Sequence, residues 1–164
     1  MNMKFLFLFF VSLITGSLAW AQLKITPLCP PMVADVLEGN VNELYPKSGI
    51  GEVKTTLPCF TETVDKDSAS RCVGVFFRDK DIYFYTDRKY IEIGPNFKGK
   101  INPPLLGAAR SSLFKMLGYP QIKDVSWDAF QTKYGILVLY YDKAGKINKL
   151  QMSSKNAESL KLCE

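Results

Sequence analysis

The chain begins with a single positive charge at Lys4, a nearly unbroken apolar run over residues 5–18, and the small-x-small sequence Ala19-Trp20-Ala21 ahead of Gln22. That order is what a signal peptidase reads, so residues 1–21 are expected to be a cleaved secretory leader. The run is short of the roughly 20 apolar residues that a bilayer core requires, which disfavours a retained membrane anchor. The small residues are not followed at once by a cysteine, so lipid anchoring is not indicated. Export constrains the remainder of the chain, because thiols in the periplasm or outside the cell become crosslinks.

All four cysteines, Cys29, Cys59, Cys72 and Cys163, lie beyond the leader, and an even count in an exported chain points to two disulfides. Three pairings are possible. Spacing favours Cys59 with Cys72, closing a polar loop, and Cys29 with Cys163, tying the ends together. Zinc is disfavoured because there is no Cys-x-x-Cys pair and no histidine, and no cofactor is implied. Residues 22–164 are expected to form one domain, long enough to bury a core. A content of 47% hydrophobic and 13% aromatic residues argues for a folded globule and against disorder. The net charge of +5 falls to +4 once Lys4 leaves with the leader, too mild and dispersed for nucleic acid. After cleavage no membrane span is expected.

Pro30 and Pro31 before residues 32–38, with Gly39 beyond, read as a short helix. Residues 40–71 are rich in turn formers and hold only a possible strand over 52–57. Residues 73–77, 82–86 and 90–93 are β-rich runs joined by polar turns, and predict an antiparallel meander. Alternation places Ile82 and Phe84 on one face and Tyr83 and Tyr85 on the other, with Ile91 and Ile93 on the apolar side. Leu105, Leu106, Ala109, Leu113, Met116 and Leu117 recur at three- and four-residue spacings, predicting a helix capped by Gly118. Residues 124–131, 135–141 and 146–152 predict a second meander, its central strand at 136–141 buried on both faces. A final helical turn over 156–162 would deliver Cys163. The apolar strand, Asp/Lys turn and amphipathic return at 76–84 echo those at 140–150. The fold class is therefore α+β: an antiparallel sheet of about six strands in two meanders, packed by one main helix.

From about residue 105 to 153, a helix ending Leu117-Gly118-Tyr119-Pro120 is followed by a strand at Trp127, then by residues 137–142 leading through Gly145 to a last strand. This resembles the helix-plus-three-strand unit of the SmpA/OmlA-type outer-membrane assembly lipoproteins and of the beta-lactamase-inhibitor-protein-like fold. The resemblance implies a role in binding other proteins, without catalytic residues. Asn102-Pro103-Pro104 stands where those lipoproteins carry Gly-Met-Ser/Thr, and their lipid-modified cysteine is absent.

A chain without histidine can form neither Ser-His-Asp nor Cys-His catalytic arrangements. Carboxylates remain: Asp79, Asp81 and Asp87 sit at turns, and Asp81 with Glu92 could serve a hydrolase acting on an envelope or extracellular glycan. Turn aspartates ordinarily stabilise their own turns. Ser111 and Ser112 near Lys115 read as surface polar residues, and Lys98-Gly99-Lys100 lacks the spacing of a phosphate loop. The aromatic side chains are more suggestive. Tyr83, Tyr85 and Tyr90 fall on the less aliphatic side of the first meander, and Trp127, Phe130 and Tyr140 are available from the second. Such residues suit recognition of another exported or envelope protein, as an inhibitor, an immunity-type protein or an assembly partner.

Overall fold

A computed structural model of the chain describes residues 28–66 and 72–163. The expected leader lies outside them. Among the described residues the elements are β1 (Val33–Asp35), β2 (Asn40–Val41), α1 (Ile50–Thr56), β3 (Glu62–Val64), β4 (Gly74–Phe77), β5 (Ile82–Tyr85), β6 (Tyr90–Ile93), β7 (Lys100–Asn102), α2 (Phe114–Leu117), β8 (Ile122–Lys123), β9 (Trp127–Thr132), β10 (Gly135–Tyr141) and β11 (Ile147–Ser153). The class is α+β, with more strands than the six expected. Eight form one antiparallel sheet in the order β3-β4-β5-β6-β11-β10-β9-β8, and β2-β1-β7 form a small second sheet.

The two expected meanders lie edge to edge, joined through β6 and β11 with Ile93 opposite Leu150 and Ile91 opposite Met152. Each half is a short helix followed by a four-stranded meander, α1 before β3–β6 and α2 before β8–β11. The counterpart of β10–β11 is thus β5–β6, one hairpin later than the echo in the sequence suggested. β10 is buried on both faces as expected, with Ile136, Leu137, Val138 and Leu139 all enclosed, but it is sixth in the sheet. The centre is β6–β11.

One sheet face carries the core. Val75, Phe77, Ile82, Phe84, Ile91, Ile93, Leu137, Leu139, Leu150 and Met152 pack there beneath Ala34, Val36, Val53, Leu57, Leu105 and Leu113. The cover differs from the sequence reading in three places. At residues 32–36 burial alternates with period two: Met32, Ala34 and Val36 are buried while Val33 is exposed, so the segment is a strand and not a helix. Its pairing with β7 decides this, and the Asp35 carboxylate then accepts the N–H groups of Leu37 and Glu38 at 3.1 and 3.0 Å to turn the chain at Gly39. Residues 50–56 are a helix and not a strand, because Ile50, Val53 and Leu57 fall three and four apart against the core.

The long helix over 105–117 is the third. It shrinks to a 3-10 turn at Arg110–Ser112 and the four residues of α2. The backbone of residues 107–110 is bonded elsewhere: Gly107 N–H donates to Ile147 O, Ala108 O accepts from Ile147 N–H, and Arg110 N–H donates to Gly145 O. Those bonds pair the segment with the turn before β11, so its remaining backbone groups make only i→i+3 turns and no continuous α-helix forms.

Both disulfides form, with the partners exchanged: Cys29–Cys59 and Cys72–Cys163, at Cα–Cα distances of 5.7 and 5.8 Å. The β3–β4 register explains why Cys59 and Cys72 do not meet. Glu62 faces Phe76, so continuing the ladder sets Cys72 opposite Lys66, seven residues along from Cys59. At about 3.3 Å per residue that is roughly 23 Å, far beyond the 7 Å limit for a disulfide.

Candidate functional site

The sheet face opposite the core gathers the aromatic residues singled out in the sequence. Register places Tyr83 opposite Glu92, Tyr85 opposite Tyr90, and Tyr140 between Lys149 and Trp127, all pointing to this one face. Tyr83, Tyr85, Tyr90, Trp127 and Tyr140 therefore share a surface. Phe130 does not: its parity is opposite, and it is a core residue at 3% exposure.

Over the first meander the rings form a ladder. Phe76, opposite Tyr83 in the β4–β5 pair, lies 6.0 Å from Tyr83 and 5.2 Å from Tyr85, and Tyr85 stacks on Tyr90 at 4.5 Å with 24° between planes. Tyr90 is buried and its hydroxyl accepts the Cys163 N–H at 3.0 Å, whereas Tyr83 and Tyr85 are half-buried. Burial pushes the Tyr85 and Tyr140 phenols up to about 12. Tyr83 is raised as well, first by burial and then by the Asp81 carboxylate. All three stay neutral donors at physiological pH.

A polar seam crosses the middle of the face. The Gln151 amide donates to Glu92 at 2.6 Å and its oxygen accepts from the Tyr140 hydroxyl at 2.9 Å. Lys149 sits 3.6 Å from Glu92 and 4.3 Å over the Tyr140 ring. The second half is aliphatic. Ala129, Ile136 and Val138 are covered there by Ala157 and Leu160 from the C-terminal strap, residues 154–163, which Cys72–Cys163 fastens back to the first meander. Between strap and sheet lies a cleft of about 280 Å³ walled by Trp127, Tyr140, Val138, Leu160 and Leu162.

The carboxylates proposed for hydrolysis have structural partners. Asp81, at φ +56°, accepts the Asn96 N–H at 2.8 Å, and its carboxylate lies so close to Gly94 that a Cβ there would collide with it. Glu92 is held by Gln151 and Lys149 in the polar seam. Asp79 pairs with Lys80 and Asp87 with Arg88. The Ser112 hydroxyl donates to Ala109 O at 2.7 Å. Among the described residues no three His, Cys, Asp or Glu side chains converge to hold a metal, and no helix is long and apolar enough to cross a membrane.

Sequence reasoning missed Phe76 and the strap. Val75, Phe76 and Phe77 are all apolar, so alternation could not say which of them faces outward; only the register against Tyr83 does. It also missed Arg110, whose guanidinium grips the buried Asp128 carboxylate with two N–H groups while the Tyr141 hydroxyl donates to the same carboxylate at 2.7 Å. This pins residues 108–113 to β9 on the core side.

No family model matches the chain, and comparisons with curated proteins and with solved structures return no significant match.

Proposed function

We propose that the protein is a non-catalytic binding domain of the periplasm or the extracellular space, and that it recognises another exported or envelope protein through the aromatic face of its sheet. The observation that carries this reading is the convergence of Tyr83, Tyr85, Tyr140 and Trp127, all partly open to solvent, on one rigid surface. Tyrosine and tryptophan supply large contact areas while losing few rotamers on binding, as recognition surfaces require. The size of the surface favours a macromolecule. Four inter-strand steps separate β5 from β9, roughly 19 Å at about 4.8 Å each, the scale of an interface burying about 800 Å² per partner. An inhibitor, immunity-type or assembly role is in keeping with the families the C-terminal segment resembles, and two disulfides suit an oxidising compartment.

The test is capture by the immobilised oxidised protein from envelope and culture-supernatant fractions, alongside a Tyr83→Ser/Trp127→Ser variant whose melting temperature is checked. A partner held by the native face and lost by the variant is expected. Equal recovery by both proteins, or no recovery by either, would refute the reading.

A further inference from the structure

The outermost strands of an open sheet present backbone groups on a side where no further strand lies, and β8 is such an edge. Its pairing with β9 sets Ile122 opposite Ala129 and Lys123 opposite Asp128, and the Asp124 N–H continues the ladder by donating to Trp127 O at 2.9 Å. In an antiparallel ladder only alternate pairs exchange hydrogen bonds. The bond at Asp124 therefore makes Ile122 part of a bonded pair and Lys123 part of an unbonded one. Lys123 turns its N–H and C=O away from β9, to the open side of the sheet.

The side chains of the same two residues part to opposite faces, and each borders a cleft. Lys123 lies on the core side with Asp128, and lines a cleft of about 480 Å³ walled by Leu113, Phe114, Tyr119 and Phe130. Ile122 lies on the other side with Ala129, and lines the cleft of about 280 Å³ that Trp127, Leu160 and Leu162 wall beneath the strap. Edges of natural sheets are ordinarily blunted by charge, yet Phe114, Met116, Tyr119, Ile122 and Val125 are all exposed by 39% or more around this one. Lys123 is the single charge on β8. Arg110, the other cation of the core-side cleft, is neutralised by Asp128, whereas among the described residues no carboxylate lies within ion-pair distance of Lys123.

These features select the shape of an occupant. A segment that bonds to the Lys123 backbone must itself be extended, with N–H and C=O at strand spacing. Its side chains then alternate as those of β8 do, one entering the core-side cleft and the next the strap-side cleft. A helix or a small apolar molecule would leave the Lys123 backbone unused.

We propose that β8 is the docking edge for an extended segment of another protein, added as a ninth strand, with consecutive apolar side chains in the two clefts and a carboxylate beside Lys123. This goes beyond the reading of the aromatic face and does not depend on what that face binds.

The probe is the peptide acetyl-Thr-Val-Phe-Val-Glu-Thr-amide, titrated into the protein with both disulfides intact and followed by calorimetry and amide NMR. With its phenylalanine opposite Lys123, its valines fall on the strap side and its glutamate lies diagonal to Lys123 on the core side. We expect saturable binding, shifts centred on Lys123 and the Trp127 indole, and slowed hydrogen exchange of the Lys123 N–H. Methylating the phenylalanine nitrogen keeps every side chain but removes the donor to Lys123 O, and should weaken binding about tenfold. Lys123→Pro removes the outward N–H from the protein itself. Proline is tolerated at an edge position whose N–H faces solvent, so the melting temperature should hold while binding falls at least as far. Lys123→Gln keeps that N–H and loses only the charge, with a smaller loss of about threefold. Shifts that do not saturate, or equal binding of the methylated peptide, or equal binding by Lys123→Pro, would overturn the proposal. So would a dimer in sedimentation that Lys123→Pro dissolves, since the edge would then belong to a second copy of this chain.

Discussion

Replacing Cys72 and Cys163 together by serine removes the crosslink that spans 91 residues, whereas replacing Cys29 and Cys59 removes one that spans 30. In the chain-entropy model these closures contribute about 4.6 and 3.6 kcal/mol at 25 °C. The loops 29–59 and 72–163 do not overlap, so the two contributions are separate and their order follows from length. The longer crosslink also holds the strap, so its loss endangers the packing of Ala157 and Leu160 on Ala129, Ile136 and Val138 and the hydrogen bond from Cys163 to Tyr90. At about 3 °C per kcal/mol for a domain of this size, the melting temperature should fall by roughly 14 °C for the first variant and 11 °C for the second. Scanning calorimetry measures both. Fluorescence separates local from global loss, because Trp127 is the one tryptophan outside residues 1–21 and lies in the cleft beneath Leu160 and Leu162. In the Cys72/Cys163 variant its emission should shift to the red well below the melting transition. A lower melting temperature for the Cys29/Cys59 variant, or Trp127 emission unchanged once the strap has lost its anchor, would refute these roles.

Asp128→Ala strips the buried carboxylate from both Arg110 and the Tyr141 hydroxyl and should cost about 3–5 kcal/mol in denaturant titration; a loss under about 1 kcal/mol would contradict the pinning role. Tyr85 and Tyr140, at about 12 in the folded protein against 10.0 when unfolded, keep protons that the unfolded chain releases, so the stability they contribute is complete below pH 10 and lost as pH rises from 10 to 12. Urea midpoints measured across that window should fall steadily, and a flat profile would mean that these rings are more open to water than the fold implies. Gly74→Ala drives a Cβ into Phe84 O and forces β4 away from β5, costing about 2–3 kcal/mol, while Gly51→Ala in open space on α1 should be neutral or stabilise by up to about 1 kcal/mol. Equal melting temperatures for the two glycine variants would show that the strand contact is looser than the backbone geometry indicates.

The parts of the fold that could be read from the sequence are those settled by near neighbours. The run Ile82–Tyr85 alternates cleanly, and β5–β6 is closed by a turn of four residues, so its inward and outward faces follow from local order alone. The hairpins β9–β10 and β10–β11 are local in the same way, but their faces are not: β10 is apolar on both sides, and only the register shows that Phe130 faces the core while Trp127 faces out. The misread parts are settled by partners far along the chain. Val33–Asp35 is a strand because Lys100–Asn102 lies beside it in parallel, and residues 107–110 abandon helix because Gly145 and Ile147 supply their hydrogen bonds. Single-residue spacing carries no record of either contact. The cysteine pairing failed for the same reason: nearness in sequence favoured Cys59 with Cys72, while the hairpin register put them at opposite ends.

The candidate face shows the same division, and here it bears on function. Its aliphatic half needs cover, since Ala129, Ile136 and Val138 have no polar group to offer water, and the strap meets that need with Ala157 and Leu160. Its aromatic half tolerates exposure, because Tyr85 stacks on Tyr90 and packs against Phe76, so the rings cover much of one another while Tyr83 and Tyr85 stay partly open to solvent. The strap therefore does not extend over Tyr83. It stops at Tyr90, where Cys163 bonds to the hydroxyl and to Cys72, and the last ring in the ladder becomes the floor of the tether. One crosslink thus sets the boundary between the covered and open halves of the sheet.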